Sequence, residues 1–441
     1  MGHFHFGLWK NPGGIFRSDA ADYYVYLPAG FIYHDWTLHF LDRSPGLFAD
    51  EVSRIRLTNG NYAIKMSMGL ALMHAPFFLL GHAVATHSGT YDANGYSLPY
   101  GAALVAGALF YFGLGLYGLG RILAGTFSDG AVALTLFLLA WATNATFYLL
   151  HAPAMSHGHS FFLFAAFLGL TLAWHRRPAW GTTVWVGLTY GLITLVRPTN
   201  GVVALVFVLW DVGSFSDLKR KARFFLRQGW AIAWIGALAL LVWTPQFLYW
   251  KEVTGHWLHY SYVDEGFFFL RPKIAAVLVG FRKGWWVYTP AMAFAVLGIP
   301  LLRRACRPLF WSTVVFLLAN VYVVSSWWCW WYGGSYGQRA FIESYAVLAV
   351  PLAALVQWGL DKGRVAAGAT FGLAVLLVLH NLFQLAQLKN GALHMENMTR
   401  GAYGAAWGRL RPTPEFTARL RAPDFTAARQ GRAEADWGGA P

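Results

Sequence analysis

The sequence predicts an all-α, multi-spanning membrane protein of about ten transmembrane helices. Three observations carry that prediction. Of 441 residues, 57% are hydrophobic and only 12% charged, where a soluble domain carries about 25% charged residues. The apolar residues fall into blocks long enough to cross a hydrocarbon core of about 30 Å. The net charge of +14 sits in short basic clusters between those blocks and in the last stretch of the chain, a pattern of membrane topology rather than of nucleic-acid binding.

Taken in order, the chain opens with MGHFHFGLWKNPGGIFRSDAADYY. It lacks the basic start and apolar run of a cleavable signal peptide, so the expectation is a beginning outside the membrane core. Tyr62–Ala85 is apolar but interrupted by Lys65, His74, Pro76 and His82, which predicts a helix in the outer interface. Spanning blocks follow at Tyr100–Leu123, Gly130–Leu150, Ser160–Trp174, Thr182–Val196, Thr199–Trp210, Trp230–Trp250, Trp285–Leu302, Leu309–Ser326, Ala340–Trp358 and Val365–Leu385. The Thr182–Trp210 pair is short in each half, and Pro198 with Gly201 marks either a turn or a kink.

With ten crossings, Arg121, Arg176/Arg177, the run Lys219 to Arg227, Arg303, Arg304, Arg307, Lys362 and Arg364 all fall on one side, which the positive-inside rule makes cytoplasmic. The organisation expected is an extracytoplasmic first loop with interfacial helices over 1–99, a helical membrane domain over 100–388, and a partly ordered extracytoplasmic tail over 389–441. Cys306 and Cys329 lie at opposite ends of adjacent apolar blocks, so no disulfide joins them in this reading.

Charged and aromatic residues at block ends are the candidate functional groups. Asp19 and Asp22, followed by Tyr23 and Tyr24, stand just ahead of a half-apolar stretch. A carboxylate there can act as general base on an acceptor hydroxyl or amine, or Ser18 or Asp19 can simply cap a helix. The turn Trp327 to Arg339 holds Trp331, Tyr332, three glycines, Gln338 and Arg339, with Glu343 just beyond. Its tryptophans suit an interfacial belt, while Arg339 can grip a phosphate or snorkel. Arg197 lies between two apolar runs, where a cation commonly has a partner: a phosphate, Asp19 or Asp22, unless it snorkels. His157 and His159 stand two apart in a polar turn, and a metal held with a carboxylate is the less favoured reading. No nucleotide loop, zinc spacing or serine-hydrolase elbow is present.

At these residues the sequence resembles the GT-C superfamily of membrane glycosyltransferases, in particular the dolichyl-phosphate-mannose protein mannosyltransferase and aminoarabinose transferase type (glycosyltransferase family 39-like). The resemblance runs from about Gly7 to Leu385: an acidic outer loop with aromatics, Asp19 to Tyr26; a proline-containing interfacial helix, Lys65 to Leu80; a helix ending in a basic residue, Tyr100–Arg121; and a late W-x-G-G-x-x-G-x-R-like turn, Trp331 to Arg339. It implies a GT-C-like bundle with an outward cavity, in which a sugar passes from a polyprenyl-phosphate donor to a protein, lipid or glycan acceptor with inversion. It further implies Asp19 as base with Asp22 as alternate, and Arg339 and Arg197 as donor phosphate contacts. Tyr23, Tyr24, Lys65, His157, His159, Trp331, Tyr332, Gln338 and Glu343 are then the candidate sugar or acceptor contacts. No cofactor is required, a divalent metal is not indicated, membrane lipids are partners and nucleic acid is not.

The implied location is a bacterial inner membrane, with the active site facing the periplasm or cell exterior. One departure is that the family carries a transmembrane helix ahead of the acidic loop, whereas about 18 residues precede Asp19; the start is either truncated relative to relatives or has lost that helix. Two competing readings are a transporter or binding protein for a lipid-linked sugar, and a non-catalytic GT-C-like scaffold subunit. Charges clustered at helix ends rather than at the bilayer midplane favour the enzyme.

Overall fold

The structure is a computed structural model that describes residues 14–43 and 49–432. The start of the expected first loop and the last residues of the expected tail lie outside the described residues. In chain order the elements used below are α1 (Asp19–Tyr24), α2 (Tyr26–Phe31), the hairpin strands β1 (Arg54–Arg56) and β2 (Tyr62–Ile64), α3 (Gly69–Ser88), α4 (Leu98–Leu123), α5 (Asp129–Trp141), α6 (Ala145–His151), α7 (Ser156–Arg176), α8 (Trp180–Val196), α9 (Phe215–Arg227), α10 (Gly229–Thr254), α11 (Phe310–Ser326), α12 (Tyr345–Asp361), α13 (Arg364–Lys389) and α14 (Arg400–Ala406). Helix dominates, and the hairpin supplies the two named strands.

Among the described residues seven helices are long and apolar enough to cross a membrane, or eight if the bent pair α5 and α6 is one span. Apolar side chains stand exposed on the outer helices, Tyr117 on α4, Leu240 and Leu241 on α10, and Leu376 and Leu379 on α13, as expected when lipid is the solvent. The chain is an integral membrane protein.

The expected ten blocks are not ten long helices. Gly130–Leu150 is broken between Trp141 and Ala145 and bent by 56°. Trp285–Leu302 is a chain of short pieces, Trp285–Tyr288, Ala291–Leu297, Ile299–Leu301 and onward, because Pro290 and Pro300 each lack the N–H that a continuing helix needs. Thr182–Trp210 resolves into α8 and a short, largely 3-10 segment, Pro198–Val208. Arg197 between them is extended, with φ −151° and ψ 113°, the conformation that a following proline favours. Conversely, α3, expected to lie in the interface, has the length and hydropathy of a span.

The described chain divides into two compact units. The first comprises residues up to Gly115, Tyr148–Gly201 and Phe224–Val263; the second comprises Leu116–Phe147, Val202–Arg223 and everything from Asp264 on. In the first, α8 lies tightly against α10. A Cβ on Gly187 would meet Leu238 Cβ at 2.8 Å, and one on Gly191 would meet Ala239 Cα at 2.8 Å, so this G-x-x-x-G face lets the backbones approach. Trp243 Nε1 donates to Thr194 Oγ1 at 3.0 Å across the same pair.

In the second unit α12 is the buried centre, packed by α5 and α13. Buried amides fix the break after α5. Asn381 Nδ2 donates to the carbonyls of Trp141 and Thr143 at 2.8 and 3.0 Å, and Asn144 Oδ1 accepts from Tyr345 Oη at 2.7 Å. Carbonyls freed by a broken helix would otherwise stand unpaired in an apolar medium. After α13 the tail forms short helices, α14, Pro414–Ala418 and Phe425–Arg429, and Arg429 pairs with Asp264.

Candidate active site

In the first unit the site grows from the start of α1. Ser18 precedes the helix with φ 51°, and its hydroxyl makes no cap hydrogen bond. The backbone therefore carries strain of about 1–3 kcal/mol there, and Ser18 does not cap the helix. Asp19 is the first helical residue and is partly exposed. Asp22, one turn on, is fully buried. Its Oδ1 accepts the backbone N–H of Ser53 at 2.6 Å, and its Oδ2 has no hydrogen-bond partner among the described residues. Burial above all pushes the Asp22 carboxyl up to about 7, and the Asp19 charge adds to this; the Ser53 N–H and the Lys65 ammonium pull the other way.

Lys65, whose charge acts on Asp22, lies on the segment from Ile64 to Met68, which is held by side chains of α10 and α2, by Ser261 and by the end of α8. Tyr249 Oη accepts from Ile64 N at 2.9 Å, and Ser261 Oγ donates to Lys65 O at 2.6 Å. Tyr26 Oη donates to Met66 O at 2.7 Å. Ser67 Oγ donates to Leu195 O at 2.6 Å, and Gln246 Oε1 accepts from Met68 N at 2.7 Å. The Lys65 ammonium lies 5.4 Å from the centre of the Tyr262 ring.

A Cβ on Gly69 would stand 2.4 Å from Leu195 C and Val196 N, so the start of α3 abuts the end of α8. Arg197, half-buried, follows directly. Ser67 and Gly69 thus tie the start of α3 to the Leu195–Val196 end of α8, and the Lys65 charge on the preceding segment acts on Asp22.

The other first-unit candidates are placed differently. Tyr23 and Tyr24 are buried. Tyr24 donates its hydroxyl to Gly95 O and stacks among Phe16, Tyr96 and Phe78, so it anchors the loop. His157 and His159 occupy the first turn of α7 rather than a loop, both buried. His157 meets Tyr148 at 4.7 Å between ring centres, and His159 meets His74 at 4.7 Å and Tyr111 at 5.2 Å. No three His, Cys, Asp or Glu side chains among the described residues form a metal-binding group.

In the second unit the glycine-rich turn is fixed by buried hydrogen bonds. Tyr332 and Gly333 are both left-handed, φ 56° and 68°, a geometry glycine accepts and tyrosine resists. Trp331 is buried, and its Nε1 donates to Glu396 Oε1 at 3.1 Å. Tyr336 Oη lies between Asn381 Oδ1 at 3.1 Å and Gln384 Oε1 at 2.8 Å, with one proton to donate to either. Gln338 Nε2 donates to Trp330 O at 2.8 Å, and Gln338 Oε1 is buried without a partner among the described residues. Arg339 opens the 3-10 helix Arg339–Ser344 and is half-buried, while Glu343 in the same turn is buried.

Lys283, which sequence reading passed over, is buried and donates to the carbonyls of Ser335 and Met395. Burial first, then the nearby Arg339 charge, holds its ammonium well below the usual lysine range. The signal in the sequence was the Arg282-Lys283 pair directly ahead of an apolar block. The polar series Asn381, Gln384 and Gln387 inside α13 was similarly legible as a buried face.

The fold and this polar wiring define a helical membrane protein that carries two carboxylates on a short helix outside its long apolar helices. No protein-family model and no curated protein matches the chain in sequence. Among solved structures the chain is similar to the archaeal oligosaccharyltransferase AglB from Archaeoglobus fulgidus, in a complex with an inhibitory peptide and a dolichol-phosphate, with a TM-score of 0.45 and 13% identity, covering 94% of this chain and 60% of that one. It is also similar to ArnT from Cupriavidus metallidurans, with a TM-score of 0.46 and 14% identity, covering 97% of this chain and 74% of that one. The chain spans about three fifths of the AglB length.

Proposed function

We propose that this protein is a GT-C-type glycosyltransferase that moves a sugar from a polyprenyl-phosphate donor to an acceptor at the extracytoplasmic face of a bacterial inner membrane. The observation that carries the reading is the acid pair of α1 set beside Lys65 on a segment braced at every residue from Ile64 to Met68. In this reading Asp19, the more exposed carboxylate, accepts the proton of the acceptor hydroxyl or amine. The acceptor atom bonds to the anomeric carbon from the face opposite the phosphate, the carbon–oxygen bond to phosphate breaks, and the configuration inverts. The departing polyprenyl phosphate gains negative charge, which a cation offsets. The reading keeps two separate phosphate-contact candidates, Arg197 in the first unit and Arg339 in the second; Arg197→Ala and Arg339→Ala, made one at a time, should each weaken binding of the lipid-linked donor by about tenfold or more, the scale of a charge-assisted hydrogen bond. Asp22, largely protonated below pH 7, leaves Asp19 as the ionised member of the acid pair.

The test is sugar transfer from a lipid-linked donor in reconstituted protein. Asp19→Asn should lower turnover by about 10²–10⁴-fold, the scale of general base catalysis, while donor binding stays near wild type. Asparagine keeps the shape of the side chain. Wild-type turnover in a folded Asp19→Asn protein would remove the base assignment.

A further inference from the structure

Helix α9, FSDLKRKARFFLR, has no buried residue. Five cations, Lys219, Arg220, Lys221, Arg223 and Arg227, stand against one carboxylate, Asp217. Arg220 is paired with that carboxylate at 2.8 Å. The apolar residues keep helical spacing: Phe215, Leu218, Ala222 and Leu226 share one side of the helix. They are exposed, Phe215 by 73%, Leu218 by 42% and Leu226 by 80%. Lys219 lies at the border of this stripe, its ammonium 5.1 Å from the centre of the Phe215 ring.

The last turn has aromatic company. Phe224 and Phe225 meet Trp174 at 5.6 and 6.2 Å between ring centres, at the end of α7 where Arg176 and Arg177 follow. Immediately after α9, at Gly229, begins α10, long and apolar enough to cross a membrane. Such a stripe cannot face water without cost, and a helix tied this closely to a span cannot leave the bilayer surface.

We propose that α9 lies flat in the headgroup layer of the cytoplasmic leaflet and binds anionic phospholipid. Phe215, Leu218, Ala222 and Leu226 enter the acyl boundary while Lys219, Arg223 and Arg227 meet lipid phosphates. The occupant follows from charge complementarity: a helix with this excess of cations selects anionic over zwitterionic headgroups. The positive-inside rule sets the leaflet. This surface is independent of the acid pair of α1 and of the transferase reading.

The experiment uses the full chain in nanodiscs of phosphatidylcholine alone or mixed with phosphatidylglycerol, reading amide hydrogen exchange of residues 215–227. Exchange should slow markedly in the anionic discs. Raising salt to about 1 M, where screening acts within about 3 Å, should largely reverse that difference. Each of Lys219→Gln, Arg223→Gln and Arg227→Gln should cut the anionic-lipid protection by about fivefold. A bromine-bearing lipid should quench a fluorophore on Leu226→Cys. Equal exchange in both lipids overturns the proposal and leaves a soluble protein as the partner. Equal protection in lipid-free detergent also overturns it, since α9 would then be held by the protein itself.

Discussion

At the scale of single residues, a charge in an apolar chain is conspicuous, and so Asp19, Asp22, Lys65, Arg197 and Arg339 could be named from sequence. Their burial could not. Asp22 shows the difference, because tertiary burial shifts its carboxyl from 3.8 to about 7 against the opposing pull of the Ser53 N–H. The folded chain therefore binds more protons than the unfolded one between pH about 4 and about 7. The stabilisation is complete below pH about 4 and declines as pH rises through about 7. The full shift corresponds to about 4 kcal/mol. Asp22→Asn retains the acceptor for Ser53 N and removes the ionisation, so its melting temperature in detergent should be less dependent on pH over that window and should exceed that of wild type at pH 8. Parallel pH profiles for the two proteins would contradict the burial of an ionisable Asp22. Lys283 and Gln246 escaped notice for the converse reason: each lies beside or within an apolar block, and only the folded chain shows the carbonyls and N–H groups it satisfies.

At the scale of elements, six of the ten expected blocks stand as single long helices in the structure, from α4 to α13, since length and hydropathy are properties of the segment alone. Breaks are not. The bend after α5 is held by Asn144 and by Asn381 from more than two hundred residues away, and no local pattern announces such a partner. The contact of α3 with α8 is equally non-local, and it sets the corner that carries Arg197. Because the atoms nearest a Gly69 Cβ are backbone, at 2.4 Å, Gly69→Ala should force the two elements apart. The expected loss of stability is about 1–3 kcal/mol, the usual range for overpacking, with donor affinity falling alongside. Ser67→Ala, which removes one hydrogen bond, should cost only about 1 kcal/mol. A Gly69→Ala protein that melts with wild type would show that the two backbones are not in contact.

At the scale of the whole molecule, the question is on which side of the bilayer each end of α3 lies. Its length and hydropathy allow a crossing, but its neighbours argue against one. The N-terminal end abuts Leu195 and Val196, the end of α8 opposite to Arg176 and Arg177. The positive-inside rule expects those arginines to be cytoplasmic, and a crossing by the 17-residue α8 would then put Val196, and Gly69 with it, outside. The C-terminal end of α3 runs through Gly89 and Gly95 into the start of α4, whose other end carries Arg121. The same rule puts Leu98, and therefore Gly95, outside as well. On that expectation both ends of α3 lie on one face, together with the first loop and its Asp19 and Lys65. Single cysteines at the exposed positions Thr58 and Asp92, in a chain with Cys306 and Cys329 replaced by serine, should both react with a membrane-impermeant thiol reagent added from outside. A cysteine at Tyr260 should react too, and one at Arg223 should not, because α10 crosses between them. If Thr58 and Asp92 report opposite faces, α3 is a span and the first loop lies on the face opposite to Asp92.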